Sequence, residues 1–289
     1  MTKELRKKPS QAKLLVSALR PRAARRPAAA GPPIGDLELN GVRQDKKKLH
    51  AYQEVCGFPQ SDFVPATWLH VLTFPLHSGI MSERDWPFPA MGTVHTANSM
   101  RMFRPVSVDE VLDLNVRASH FSPHAKGASF DLVGVIKSGD ETVWTGRSTY
   151  LVPGYQLPGK PVEIEREELP KTENSEKWEL PADLGRQYAK ASGDFNPIHL
   201  TPLTAKLFGF PTTIIHGMWT HARALAALQD ELPEAYEVRV QFTKPISLPA
   251  TVNFTHEDGH FGVTGDDDGK PRLGGSYKPC EDVQIGKSL

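Results

Sequence analysis

The hydrophobic pattern from Gly35 onward is that of two similar globular texts separated by a polar stretch. In the first, the alternating Leu37–Asn40 run predicts a strand, and Leu49, Tyr52 and Val55 recur at helical spacing. Pro65-Ala66-Thr67 then opens an apolar helix through Trp68, Leu69, Val71, Leu72 and Phe74. Strand-like spacing follows at 92–98, 111–117, 129–136 and 141–152, with Ser138-Gly139-Asp140 as a hairpin turn. The second text, from Trp178, repeats the plan. Pro211-Thr212-Thr213 is expected to open a helix near Ile215 that is apolar on most faces and therefore buried. Strands are expected near 237–242 and 251–255 and in short pieces to Tyr277. Asp266-Asp267-Asp268-Gly269 lacks the ligand spacing of a calcium loop and reads as a hairpin turn.

The two texts align by eye. Tyr52-x-x-x-Cys56-Gly57 answers Tyr188-x-x-x-Ser192-Gly193, and Pro65-x-Thr67-x-x-His70 answers Pro211-x-Thr213-x-x-His216. Arg104-Pro105-Val106-Ser107 answers Lys244-Pro245-Ile246-Ser247. Counting from the paired glycines sets Phe58 against Asp194 and Phe63 against His199, and this alignment sets Val71 against Gly217. The second copy carries about ten extra residues, near 200–209. Phe58 and Phe63 fit either the wall of a pocket or ordinary core.

The organisation expected is a basic mobile tail (1–34), a first unit (35–154), an acidic linker (155–178) and a second unit (179–289). The tail carries nine Lys and Arg against one acid, Glu4, and could hold a short helix near 10–19. An organelle transit peptide, or a contact for an acidic partner, is the rival reading. The linker has six glutamates among prolines, and part of it could instead be a solvated edge strand.

Chemistry concentrates in Tyr188–His199, Y-A-K-A-S-G-D-F-N-P-I-H. Gly193 frees the backbone to bend, and Pro197 fixes one φ and biases Asn196 to extended geometry. The turn can aim Asp194 and His199 at one point, as an acid–base pair sharing a water. Asp and Asn before Pro are also ordinary turn chemistry.

Three pieces in order settle between those readings: S-G-D-F-N-P-I-H with Ala205 six positions on, His216-Gly217-Met218, and Phe242-Thr243-Lys244-Pro245. Together they resemble the hydratase 2 signature of MaoC-like hot-dog proteins, over about 180–255. One departure is Leu248-Pro249-Ala250, where that family usually has Pro-Gly. The resemblance implies an α+β double hot-dog, two long central helices wrapped by one shared curved antiparallel sheet. It implies (R)-specific hydration of trans-2-enoyl thioesters by syn addition, or the reverse dehydration, in fatty-acid metabolism. It implies one active half, with Asp194 and His199 catalytic and Ser192 and Asn196 orienting. Gly217 would let a thioester oxygen approach a free helix N–H. His216, aligned with His70 in the half that lacks the acid and base, is expected to be structural, and Lys244 could meet a phosphate of coenzyme A.

No cofactor is expected beyond the coenzyme A or phosphopantetheine of the substrate, and the histidine spacing offers no metal site. A formal net charge of zero gives no steering towards nucleic acid, and no apolar run has the length of a membrane span. Two cysteines make no disulfide framework, so a cytoplasmic protein is expected, and a homodimer is compatible. The competing functions are a hot-dog thioesterase and a non-catalytic acyl-thioester binding subunit.

Overall fold

The structure is a computed structural model, and it describes residues 2–9, 35–89, 92–161, 165–172 and 174–280. The proposed helix at 10–19 lies outside the described residues. The described part of the N-terminal segment is packed rather than loose. Strand β1 (Lys3–Glu4) runs parallel to β2 (Asp36–Val42), and Lys3 pairs with Glu83 at 2.7 Å.

The first unit continues with α1 (Lys46–Cys56), α2 (Ala66–Ser82), β3 (Val94–Met102), β4 (Leu112–His124), β5 (Gly127–Ser138) and β6 (Glu141–Pro153). The second has β7 (Glu176–Leu180), α3 (Leu184–Ser192), a 3-10 turn (Pro197–His199), α4 (Pro202–Leu207) and α5 (Gly217–Ala227). It ends with β8 (Tyr236–Phe242), β9 (Ala250–Glu257), β10 (His260–Gly265) and β11 (Pro271–Pro279). The described strands join one curved sheet, ordered β1-β2-β4-β5-β6-β3-β8-β11-β10-β9-β7. Read outward from the β3–β8 seam, the two units have the same strand order. The seam is antiparallel, with Ser99 opposite Arg239 and Arg101 opposite Glu237. Arg101 also meets the buried Glu237 at 2.7 Å.

The α2 helix is buried on nearly every face, as its apolar text requires, and α5 buries Met218, Trp219, Ala222, Ala224 and Leu225. Helices α1 and α3 pack together, with the Tyr52 and Tyr188 ring centroids 5.9 Å apart.

Three expectations need correction. Helix α5 starts at Gly217, so residues 211–216 are an extended approach and not helix. The repeat also has a different register. Phe63 bridges Ser107 as Ile214 bridges Ser247, and Val64 N bonds Val106 O as Ile215 N bonds Ile246 O. Ala66 therefore answers Gly217 and His70 answers His221. Val71 is not the counterpart of Gly217, nor His70 of His216. Finally, five residues (58–62) link Gly57 to the bridge in the first unit, against twenty (194–213) from Gly193 in the second. The first unit did not exchange an acid and a base for phenylalanines; it lacks the excursion that carries them. Phe58 is buried at the equivalent step after the glycine, but Phe63 is 61% exposed and lies nowhere equivalent to His199.

The acidic connection is not free between the units. Glu167 N donates to Gln241 Oε1 at 3.1 Å, and Ser276 Oγ donates to Glu167 Oε2 at 2.9 Å, which lays the chain on β8 and β11. Its end, from Glu176, is edge strand β7, the alternative that the sequence left open.

Candidate active site

The site is built on the end of α3. That helix stops at Gly193, whose φ of 80° suits the left-handed cap that only glycine adopts cheaply. Gly57 closes α1 with the same φ. Beyond Gly193 the backbone is tied down locally. Ser192 Oγ donates to Tyr188 O at 2.8 Å and accepts from Asp194 N at 3.2 Å. Asp194 Oδ1 accepts from Asn196 N, and Asn196 Oδ1 accepts from Ile198 N at the start of the 3-10 turn. Ser192 and Asn196 thus shape the loop that presents Asp194.

The turn folds back over α3. Any side chain at Gly185 would collide with the His199 carbonyl oxygen, so glycine at this helix position admits the turn. The α1 counterpart of Gly185, counted back from the capping glycines, is the buried Leu49.

Asp194, His199 and His216 each bring a donor atom to within 4.8 Å of the others. The His199 and His216 rings stack with centroids 3.5 Å apart. His199 Nδ1 lies 2.8 Å from Ile214 O, and His216 Nε2 lies 3.0 Å from Asp194 O. A carbonyl only accepts, so His199 carries its proton on Nδ1 and His216 on Nε2. The free lone pair of His199 is then on Nε2. Burial, with the neighbouring His216, lowers the His199 pKa to about 3, and burial lowers that of His216 to about 3. Both rings are neutral at physiological pH. Burial raises the Asp194 pKa, opposed by His199 and by the bond from the Asn196 backbone.

His216 is the residue immediately before α5, and no side chain caps that helix. Trp219 N and Thr220 N make the first bonds back to His216 O, so the Gly217 and Met218 N–H groups precede the helical ladder. A Cβ on Gly217 would lie 2.9 Å from Phe242 Cδ1, so glycine is required there for packing on Phe242 as much as for any approach of a ligand.

The structure therefore joins Asp194, His199, His216 and Gly217, and places Ser192 and Asn196 as braces. Lys244 is set apart from these contacts: it is half-exposed, with its ammonium 3.9 Å from Asp268 in the β10–β11 turn. Metal chemistry had no basis in the sequence spacing, yet three donor atoms converge. His199 Nδ1 and His216 Nε2 are each committed to a carbonyl oxygen, which leaves one ring nitrogen apiece for other chemistry.

No motif along the chain marks what the first unit adds. Its Tyr150 is close enough to Asp194 for the carboxylate to help burial raise the phenol's pKa. The Tyr150 hydroxyl is 3.4 Å from His77 Nδ1, and its ring stacks on His95, which meets Phe242 at 5.1 Å. These residues come from elements far apart in the chain, and no spacing could have linked them.

A curved sheet around two central helices, with a carboxylate–imidazole cluster beside a helix N-terminus, defines a double hot-dog protein. The MaoC like domain family model matches residues 159–266. The 3-hydroxyacyl-thioester dehydratase X of Mycobacterium tuberculosis is 36% identical over 226 residues, which are 75% of this chain and 78% of that protein. The crystal structure of HtdX from the same organism superposes with a TM-score of 0.74 at 32% identity, covering 85% of this chain and 100% of that one. A MaoC-like dehydratase from Phytophthora capsici shares the fold, with a TM-score of 0.72 at 19% identity, over 88% of this chain and 97% of that one. This chain belongs to the MaoC-like family.

Proposed function

We propose that the protein is a hydro-lyase that adds water to trans-2-enoyl thioesters, giving (R)-3-hydroxyacyl thioesters, or runs the reverse dehydration, in fatty-acid metabolism. The observation that carries this reading is the convergence of Asp194, His199 and His216 within 4.8 Å beside the first N–H groups of α5. The name of the mycobacterial relative supports the reaction class.

In the hydration direction Asp194 orients a water whose proton passes to His199 Nε2. The water oxygen bonds to C3, and the C2–C3 electron pair moves onto the thioester as an enolate. The Gly217 and Met218 N–H groups, at the positive end of the helix, stabilise the enolate oxygen. The imidazolium then returns the proton to C2 on the same face, which makes the addition syn and leaves the enzyme unchanged. Ser192 and Asn196 hold the loop, and His216 holds the Asp194 carbonyl. Residues 35–154 act as the non-catalytic unit and 179–289 as the catalytic one. The thioester carrier is coenzyme A or an acyl carrier protein. The two free cysteines, Cys56 and Cys280, support work in the cytoplasm. Among the described residues no helix is long and apolar enough to cross a membrane.

The test is loss of enoyl absorbance with crotonyl, octenoyl and hexadecenoyl thioesters on each carrier. Hydration of any of them, with the R product identified by chiral analysis, is the expected result. Release of free thiol without hydration would instead make the protein a thioesterase, and binding without turnover would make it an acyl-thioester binding subunit.

A further inference from the structure

The excursion that the first unit lacks does more than hold Asp194 and His199. Its outer surface is unusually apolar. Leu203 and Leu207 on α4 are 73% and 76% exposed, and Phe195, between Asp194 and Asn196, is half-exposed. Side chains that stand this clear of the surface can seat in a partner's groove. They are poorly placed to enclose a nucleotide, which needs a concave site.

Along the chain, the charge between Asp183 and Asp230 is one-sided. From Leu184 to Gln229 the only acid is Asp194, which belongs to the site. The same stretch carries Arg186, Lys190 and Lys206, all exposed, and Arg223, which is paired with Glu176. Arg186 donates to Leu200 O at 3.1 Å, which holds this cation against the segment leading into α4. An apolar centre with basic neighbours is the complement of an acidic helix that has a few apolar side chains of its own.

We propose that this surface, centred on Leu203, Leu207 and Lys206, docks an acidic acyl carrier protein that presents the enoyl thioester to Asp194 and His199. The inference rests on the functional reading above and deepens it by choosing the carrier. The surface is contiguous with the catalytic loop, so a partner seated there can pass its tethered thioester directly inward. Charge brings the partner to the surface, and the two leucines slow its departure.

The test compares trans-2-octenoyl groups on a purified acyl carrier protein and on coenzyme A, using the full chain. Leu203→Asp, Leu207→Asp and Lys206→Glu change exposed side chains, and circular dichroism checks that each variant is folded. Each leucine variant should lower kcat/KM on the carrier protein about tenfold, through KM, and leave kcat/KM on coenzyme A within about twofold. The Lys206→Glu loss should fade as salt is raised. Equal losses on both substrates, no loss on either, or wild-type turnover on coenzyme A alone would overturn the proposal. So would conversion of a wild-type dimer to monomers by the leucine variants, which would make the patch a subunit interface. Calorimetric titration with octanoyl-loaded carrier protein reads docking without turnover. Binding by the wild type that Leu207→Asp abolishes supports the surface even if no thioester is hydrated, a result that would sink the functional reading alone. Absent binding overturns the docking.

Discussion

Leu49 in the first unit and Gly185 in the second occupy the same step of equivalent helices, eight residues before glycines of the same φ. Leu49 is fully buried, and the chain beyond Gly57 goes directly to its bridge with Ser107. Gly185 leaves a gap, and the His199 backbone fills it. The same scaffold is thus closed in one unit and opened in the other by removing one side chain and inserting fifteen residues. The difference teaches where the chemistry resides. In the proposed mechanism it lies in the excursion and in the glycine that admits it, while the sheet and long helices are common to both units. The first unit still reaches the site through Tyr150, whose phenol is held up in pKa by burial and by the Asp194 carboxylate.

The sharpest way to break this comparison is to remove the chemistry from one unit and bulk from the other. Asp194→Asn and His199→Ala should each lower hydration about 10²–10⁴-fold while the protein stays folded. Phe58→Ala, at the step after the equivalent glycine, should do the reverse. It empties a buried site and should cost about 3–5 kcal/mol of stability, with kcat per folded molecule retained. Steady-state rates and thermal melts on the three variants decide the matter. Comparable losses of activity from all three would mean that both units carry chemistry.

Gly185→Ala takes the second unit one step towards the first. The added Cβ meets the His199 carbonyl oxygen, so the turn must move while α3, which gains helix propensity, stays formed. A displacement near 1 Å at a catalytic group costs about 10²-fold, and that loss of kcat should appear with circular dichroism unchanged. A fully active Gly185→Ala enzyme would show that the position of His199 does not depend on this contact.

Much of this architecture was legible beforehand, because buried helices and alternating strands write their periods into the sequence. The strand spacing of 111–117, 129–136 and 141–152 anticipated β4, β5 and β6, and the Pro65-Ala66-Thr67 start anticipated α2 to within a residue. The site motif was equally plain: Ser192, Gly193, Asp194, Asn196 and Pro197 act through backbone bonds to near neighbours, which is information that a short motif can hold. The register of the repeat was misread at Pro211 because Pro-x-Thr marks a helix start in one unit and an extended approach in the other. Long-range ladder bonds, such as Ile215 N to Ile246 O, decide that difference, and local propensity does not contain them. The exposed Phe63, the packing of Phe242 on Gly217 and the approach of Tyr150 are likewise tertiary facts.

Both units share a liability to acid. His70 and His77 in the first and His199, His216 and His221 in the second are buried, His95 in the first is half-buried, and desolvation lowers the pKa of each below 6.5. It falls to about 4 for His70 and to about 3 for His221. The folded protein keeps these rings neutral while the unfolded chain takes up protons below pH 6.5. Their contribution is therefore complete above that pH and is lost as pH falls towards 4. Each such histidine costs about 1.4 kcal/mol per pH unit in that window. For a chain of this size that alone lowers the melting temperature by about 2–4 °C per unit. Replacing His221 with Gln should flatten the decline between pH 6 and 4.5, and a melt series in matched ionic strength would show it. An unchanged slope would mean that His221 titrates alike in the folded and unfolded chains.

The smallest effect separates two glycines that look the same. Gly57 and Gly193 both sit at φ 80°, so alanine at either incurs left-handed strain of about 1–2 kcal/mol. Their surroundings differ. A Cβ at Gly193 meets nothing within 4 Å, whereas one at Gly57 lies 3.2 Å from Arg223 Nη1. Arg223 crosses from α5, lies over the Trp178 ring at 4.6 Å and pairs with Glu176. Gly57→Ala must shift that side chain, so it should melt slightly below Gly193→Ala. Activity should rank the other way. Strain at Gly193 is relieved by turning the next peptide, which carries Asp194, and strain at Gly57 turns only Phe58. The expected pattern is a lower melting temperature for Gly57→Ala and a lower kcat for Gly193→Ala. If Gly57→Ala instead loses as much kcat as Gly193→Ala, the first unit controls the catalytic loop through Arg223, and the division of labour between the units is less complete than their backbones suggest.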